Sequence, residues 1–188
     1  MMAKDDRVQK TLQELGQNLL SFASEDFDDK AVKKLIRTIK AARRNFVYGA
    51  GRSGMVGRCF VQRLMHIGLD AYFIGETLTP SLAQDDLLVV ISGSGQTTST
   101  LAVAGKAREL GAQVFAVTAH PGSPIGKLAN LVIPVKGKTR LMEHESVAPF
   151  TSQFDVATLA FLDGVVSQLM ADLGVGEDTI ADKHATVE

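Results

Sequence analysis

The chain has 188 residues, with 20 Lys and Arg against 21 Asp and Glu for a net charge of −1, and a single cysteine. That length suits one domain with a hydrophobic core of its own, and so even a charge balance excludes a basic field for holding nucleic acid or an anionic membrane surface. One cysteine, Cys59, excludes a disulfide scaffold and a cysteine-rich zinc site.

The amino-terminal run Met1–Arg7 carries acids and leads directly into an amphipathic pattern, where a secretory signal would need a continuous apolar core. A cytoplasmic protein is the expectation. Val8, Leu12, Leu15 and Leu19 recur at helical spacing, and Val32, Leu35, Ile36 and Ile39 do so again after the acidic turn 25–29, so the chain opens on two helices over residues 1–44. Asp28 or Asp29 is placed to cap the second.

From Phe46 to about residue 173 the pattern changes to short apolar runs, each followed by a glycine, serine or threonine turn and then a helical period. This is the βα signature of a parallel sheet. The predicted strands are Phe46–Gly49, Ala71–Ile74, Leu87–Ile91, Val114–Thr118 and Leu131–Val135. Between them, Val56, Phe60, Leu64 and Ile67 form one helical stripe closed by Gly68, and Leu101, Ala104 and Leu110 another closed by Gly111. Cys59, inside the first of these helices, reads as a buried residue. A polar loop, residues 136–153, leads to a long apolar helix from Phe154, whose Asp155, Asp163, Gln168 and Asp172 argue for a core helix over a membrane span. A polar tail, residues 174–188, ends the chain. The expected architecture is a single α/β domain, a three-layer α-β-α sandwich with a five-stranded parallel sheet in flavodoxin-like winding.

In such sheets ligands bind beyond the carboxyl ends of the strands, so the strand-to-helix turns are where chemistry is sought. After the first strand comes Gly49-Ala50-Gly51-Arg52-Ser53-Gly54, whose glycines fit a dinucleotide fingerprint. No acidic residue closes the second strand where a ribose would need it, and Arg52 and Ser53 place polar side chains in the turn, so a dinucleotide is disfavoured. After the third strand comes Ser92-Gly93-Ser94-Gly95-Gln96-Thr97-Thr98. Glycines admit a close approach of the backbone, free N–H groups at a helix start favour an anion, and the hydroxyls of Ser92, Ser94 and Thr97 can complete a phosphate site. No lysine follows the glycines, so this is not a nucleoside triphosphate loop. An ordinary Gly/Ser turn with a threonine cap is the alternative reading of the same residues.

Together with Gly75-Glu76-Thr77-Leu78-Thr79-Pro80 and the tail Lys183-His184-Ala185-Thr186-Val187-Glu188, these loops resemble the 6-phospho-3-hexuloisomerase branch of the sugar isomerase (SIS) domain family over essentially the whole chain. The resemblance implies that Ser92, Gly93, Ser94 and Thr97 hold a sugar phosphate, with Gly51, Arg52 and Ser53 on the adjoining loop. It implies conversion of a 3-hexulose 6-phosphate into fructose 6-phosphate through an enediol, with neither cofactor nor metal, in a homotetramer. Within the family a glutamate at the start of the long helix is the expected base; the aligned pair here is Phe154-Asp155, and the preceding Pro149–Gln153 departs where a glycine is usual. Asp155 is therefore the base implied, Glu76 the alternative, and Glu143 and Glu145 further candidates. His184 is implied in proton traffic at ring oxygens. Another phosphosugar isomerase and a sugar-phosphate sensor without catalysis remain as competing readings. His66, His120 and His144 show no metal-ligand spacing and read as structural or exposed.

Overall fold

Five short apolar runs become five parallel strands in the computed structural model of the protein, which describes residues 6–25, 27–139, 141 and 145–183. In chain order the elements are α1 (Arg7–Glu25), α2 (Asp29–Ala41), β1 (Asn45–Gly49), α3 (Gly51–His66), β2 (Ala71–Phe73), β3 (Leu87–Ile91), α4 (Thr98–Glu109), β4 (Gln113–Thr118), α5 (Pro124–Leu128), β5 (Leu131–Pro134), α6 (Ser152–Leu173) and α7 (Glu177–Asp182). The sheet order is β2-β1-β3-β4-β5, every neighbouring pair parallel.

Because the strands are covered on both faces, their residues are apolar without alternation, and the pleat divides them between two cores. Val47, Val89, Ile91, Phe115, Val117 and Ile133 face the layer built from α1, α2, α3 and α6. Phe46, Leu88, Val90, Val114 and Ala116 face α4 and α5. The first core is the larger because α6 lies across it, burying Phe154, Ala157, Phe161, Leu162, Val165, Val166 and Leu169. By length and a mean hydropathy of 1.4 this helix could cross a membrane; its apolar side chains instead fill the core between α1, α2 and α3.

Most predicted elements stand within a residue of their observed ends, and Asp28 is the cap of α2, its carboxylate accepting the Ala31 N–H at 3.0 Å. Gly68 and Gly111 end their helices with φ of +91° and +84°, the left-handed backbone that suits glycine. Three expectations fail. Cys59 is exposed, because it precedes Phe60 by one residue and so lies about 100° round the helix from the buried stripe. Leu110 is 45% exposed: α4 stops at Glu109, and Ala104 and Ala107 make the contact with the sheet. The tail is not merely polar, since Glu177–Asp182 forms the short helix α7, with Val175 and Ile180 packed against the larger core.

Candidate active site

With β1 and β3 adjacent at the centre of the sheet, the chain leaves β1 toward α3 on one face and β3 toward α4 on the other. The crevice between these two exits is the switch point of the winding. Here the Ala50–Ser53 and Ser92–Thr97 turns meet Thr139 and the Phe150–Phe154 segment around a cavity of about 300 Å³. A larger groove of about 910 Å³ lies elsewhere, between α1, α2 and α6. Its lining is mainly apolar, whereas the smaller cavity is where hydroxyls, amides and a guanidinium converge, so the chemistry is assigned to the smaller.

Three helices begin at this cavity, and none has a side-chain cap: the cap positions are Ala50 for α3, Thr97 for α4 and Thr151 for α6. Of the other helices α2 and α5 are capped by Asp28 and Ser123, while the short α7, away from the cavity, has Gly176 at its cap position and no side-chain cap. A helix start carries the positive end of the helix dipole, and three starts facing one small space form an arrangement that favours an anion.

The Ser92–Thr97 loop lies on the wall of this cavity. The hydroxyls of Ser92 and Thr97 lie 3.2 Å apart, so Thr97 is turned toward the loop and away from its own helix. Ser94 accepts the Gln96 N–H at 3.3 Å. Gly95 adopts a φ of +60°, and a Cβ there would come within 1.9 Å of the Ser123 hydroxyl oxygen. Only glycine lets the loop pack this closely onto the cap of α5.

Asp155 is buried one turn into α6. Its Oδ2 accepts from Arg52 Nε at 2.8 Å and from the Thr151 hydroxyl at 2.8 Å, and its Oδ1 from the Ser53 hydroxyl at 3.4 Å. The carboxylate lies one layer behind the cavity wall, with all three of its donors on that wall. Arg52 is 60% exposed and Asp155 4%, so of the ion pair only the arginine is free to swing. The fold therefore brings Gly51, Arg52, Ser53, Ser92, Gly93, Ser94 and Thr97 around one cavity with Asp155 behind it.

Glu76 is elsewhere. Its carboxylate accepts from Arg58 Nε at 2.8 Å with both side chains about half exposed, and the Arg58 guanidinium lies 3.9 Å from the Phe73 ring centroid. Glu145 is exposed and off the cavity wall; Glu143, His144 and His184 lie outside the described residues. Among the described residues no group of His, Cys, Asp or Glu is placed to hold a metal ion.

Three wall residues escaped the sequence reading, Thr139, Phe150 and Thr151, and the two threonines make polar contacts. Thr139 is buried, its hydroxyl 2.8 Å from His120 Nε2 and accepting the Leu141 N–H at 3.3 Å. It has no local signature, because it stands alone in a polar loop. Thr151 had one: a threonine just after Pro149 and before an apolar helix is a cap signal. The loop that carries both is anchored on α1. Glu14 accepts from the Ser146 hydroxyl, the Val147 N–H at 2.9 Å and the Gln153 side-chain amide. Asn18 donates to the carbonyls of Lys136 and Gln153, each at 3.4 Å. The Ser146 hydroxyl above all holds the Glu14 carboxyl below its ordinary range; partial burial opposes this, and the Val147 and Gln153 bonds add to the lowering.

A doubly wound sheet whose switch-point crevice is lined by serine-glycine turns defines the class, and residues 38–171 match the SIS domain; the chain belongs to that family. Over its full length it is 36% identical to a Bacillus subtilis protein named 3-hexulose-6-phosphate isomerase, each chain covered completely. A protein of Aeropyrum pernix without an assigned activity is 41% identical, over 85% of this chain and 81% of its own. The crystal structure of a Methanococcus jannaschii protein, from which a 3-hexulose-6-phosphate isomerase function was inferred, superimposes with a TM-score of 0.84 at 37% identity, covering 94% of this chain and 98% of that one.

Proposed function

We propose that this protein is a phosphosugar isomerase that interconverts 3-hexulose 6-phosphate and fructose 6-phosphate. The observation that carries the reading is the convergence of three uncapped helix starts and the Ser92, Ser94 and Thr97 hydroxyls on one small cavity with a buried carboxylate behind it. Relatives similar over nearly the whole chain and named for this activity support this choice of substrate.

The phosphate dianion sits against the amides and hydroxyls of the Ser92–Thr97 loop. Its charge, or that of the sugar oxygens, draws the exposed Arg52 guanidinium from Asp155 and opens the carboxylate to the cavity. Asp155 then takes the proton from C2 while the C3 carbonyl oxygen gains one, giving the enediol; returning a proton to C3 as O2 loses its own leaves a carbonyl at C2. Atoms and electrons balance within the sugar, so the step is a proton shift with no net redox change. One carboxylate can serve both transfers on one face, and a positioned base of this kind contributes about 10²–10⁴-fold.

Conversion of 3-hexulose 6-phosphate by the wild type, Asp155→Asn and Glu76→Gln tests the assignment. The wild type and Glu76→Gln are expected to turn over within a few-fold of each other, with Asp155→Asn slower by about 10²–10⁴-fold. Loss in Glu76→Gln alone would move the base to Glu76. The engagement of Asp155 by three donors behind the wall favours one further reading, a sugar-phosphate sensor. Tight fructose 6-phosphate binding by a wild type that converts nothing is the result that would establish it.

A further inference from the structure

Thr151 has a φ of +63° and ψ of −5°, and among the described residues it is the one non-glycine with positive φ. For a β-branched side chain this is a genuine outlier, held only where the surroundings over-determine it. An ordinary threonine cap has extended backbone, and its hydroxyl accepts a first-turn N–H. Here the backbone carbonyl still accepts the first helical bond, from the Asp155 N–H at 3.0 Å. The hydroxyl caps nothing and donates instead to Asp155 Oδ2 at 2.8 Å. The residue thus carries conformational strain and forgoes the stabilisation of a cap, and the bond gained in exchange is one to the buried carboxylate.

We propose that Thr151 is a positioning residue for the reaction: its strained backbone aims a hydroxyl that holds Asp155 when Arg52 is drawn away by the substrate. Oδ2 has two donors, Arg52 Nε and the Thr151 hydroxyl, and the arginine is the exposed, mobile one. Once the guanidinium moves to the ligand, Thr151 and the longer 3.4 Å bond from Ser53 are what fix the carboxylate. A left-handed backbone at 151 turns the side chain back over the first turn of α6; with the usual extended cap the hydroxyl would lie on the helix amides and Asp155 would lose its second anchor. This inference rests on the assignment of Asp155 as the base.

Turnover of 3-hexulose 6-phosphate is measured for Thr151→Val, which removes the hydroxyl and keeps the branched shape, for Thr151→Gly, which removes it and suits the left-handed backbone, and for Thr151→Ser. The Val and Gly variants are expected to lose roughly tenfold to a hundredfold in kcat, the range of a hydrogen bond to a charged group, with KM nearly unchanged because the phosphate cradle is intact. Thr151→Ser is expected to restore most of kcat. In Thr151→Gly the relief of strain offsets the lost hydrogen bond, so it is expected to melt close to wild type and above Thr151→Val, which separates an effect on the reaction from a failure to fold. A kcat within threefold of wild type in either Val or Gly, or a loss in Ser equal to theirs, would overturn the proposal. If Asp155→Asn is inactive while Thr151→Gly is fully active, the base stands and the role of Thr151 falls. If Asp155→Asn turns over normally, the base itself falls, whatever Thr151 does.

Discussion

In the proposed mechanism Arg52 serves two anions in turn, the carboxylate of Asp155 before binding and the ligand after it. A guanidinium can hold both because its donors form a planar fork, whereas an ammonium offers one compact charge. Arg52→Lys is therefore expected to raise KM and lower kcat together, which steady-state kinetics with 3-hexulose 6-phosphate will show. Gly95 is the other residue with no substitute. In Gly95→Ala the new methyl meets the Ser123 oxygen, and Ser123 cannot retreat without releasing the Gly126 N–H that it caps at 3.2 Å. Left-handed strain of about 1–2 kcal/mol and a lost cap of about 1 kcal/mol predict destabilisation of roughly 2–3 kcal/mol, measurable by urea unfolding. The serine-glycine turn was legible in the sequence because its chemistry is local: glycines, hydroxyls and the helix start all lie within seven residues. The environment of Asp155 was not, because Arg52 and Ser53 reach it from 103 and 102 residues away.

The segment between β5 and α6 returns Thr139 and Thr151 to the cavity, and it does so by docking on α1. Gly137 packs directly on the start of α6, where an added Cβ would stand 2.4 Å from the Phe154 nitrogen and 2.6 Å from its Cα. Both are backbone atoms with no freedom to move aside, so Gly137→Ala is expected to cost about 1–3 kcal/mol and to lower kcat through the displaced helix start. Glu14 provides the second anchor, and its lowered pKa sets a sign. Unfolded, a glutamate takes up its proton near pH 4.3; folded, Glu14 resists until lower pH. Its contribution is therefore complete above the ordinary carboxylate range and is lost as acid titrates the folded group. Glu14→Gln should flatten the fall in stability between about pH 5 and pH 3, and amide exchange over residues 145–153 should quicken at neutral pH. In the sequence this segment read only as a polar loop, because its partners on α1 lie about 130 residues earlier. The stretch where the family resemblance leads one to expect a glycine is the stretch that contains the left-handed residue, Thr151.

Across the whole molecule, the winding of the sheet was readable because each buried strand is a short apolar run with its own turn signal. The surface was less so: Cys59 and Leu110 are apolar residues at near-helical spacing, yet both are exposed, because no neighbouring helix covers them. On α1, Val8, Leu12 and Leu20 remain 74%, 64% and 66% exposed. This leaves an apolar face of the kind that association of identical chains would cover. The homotetramer expected from the sequence is tested by light scattering, in which Leu12→Glu with Leu20→Glu should lower the mass found for the wild type. The three uncapped helix starts carry a consequence of a different kind. In the proposed mode of binding much of the grip on the ester comes from main-chain amides that substitution leaves in place, which would make recognition and turnover separable. On that reading, a descendant that lost its carboxylate would keep its receptor, and one substitution would turn the enzyme into a sugar-phosphate sensor with the same ligand.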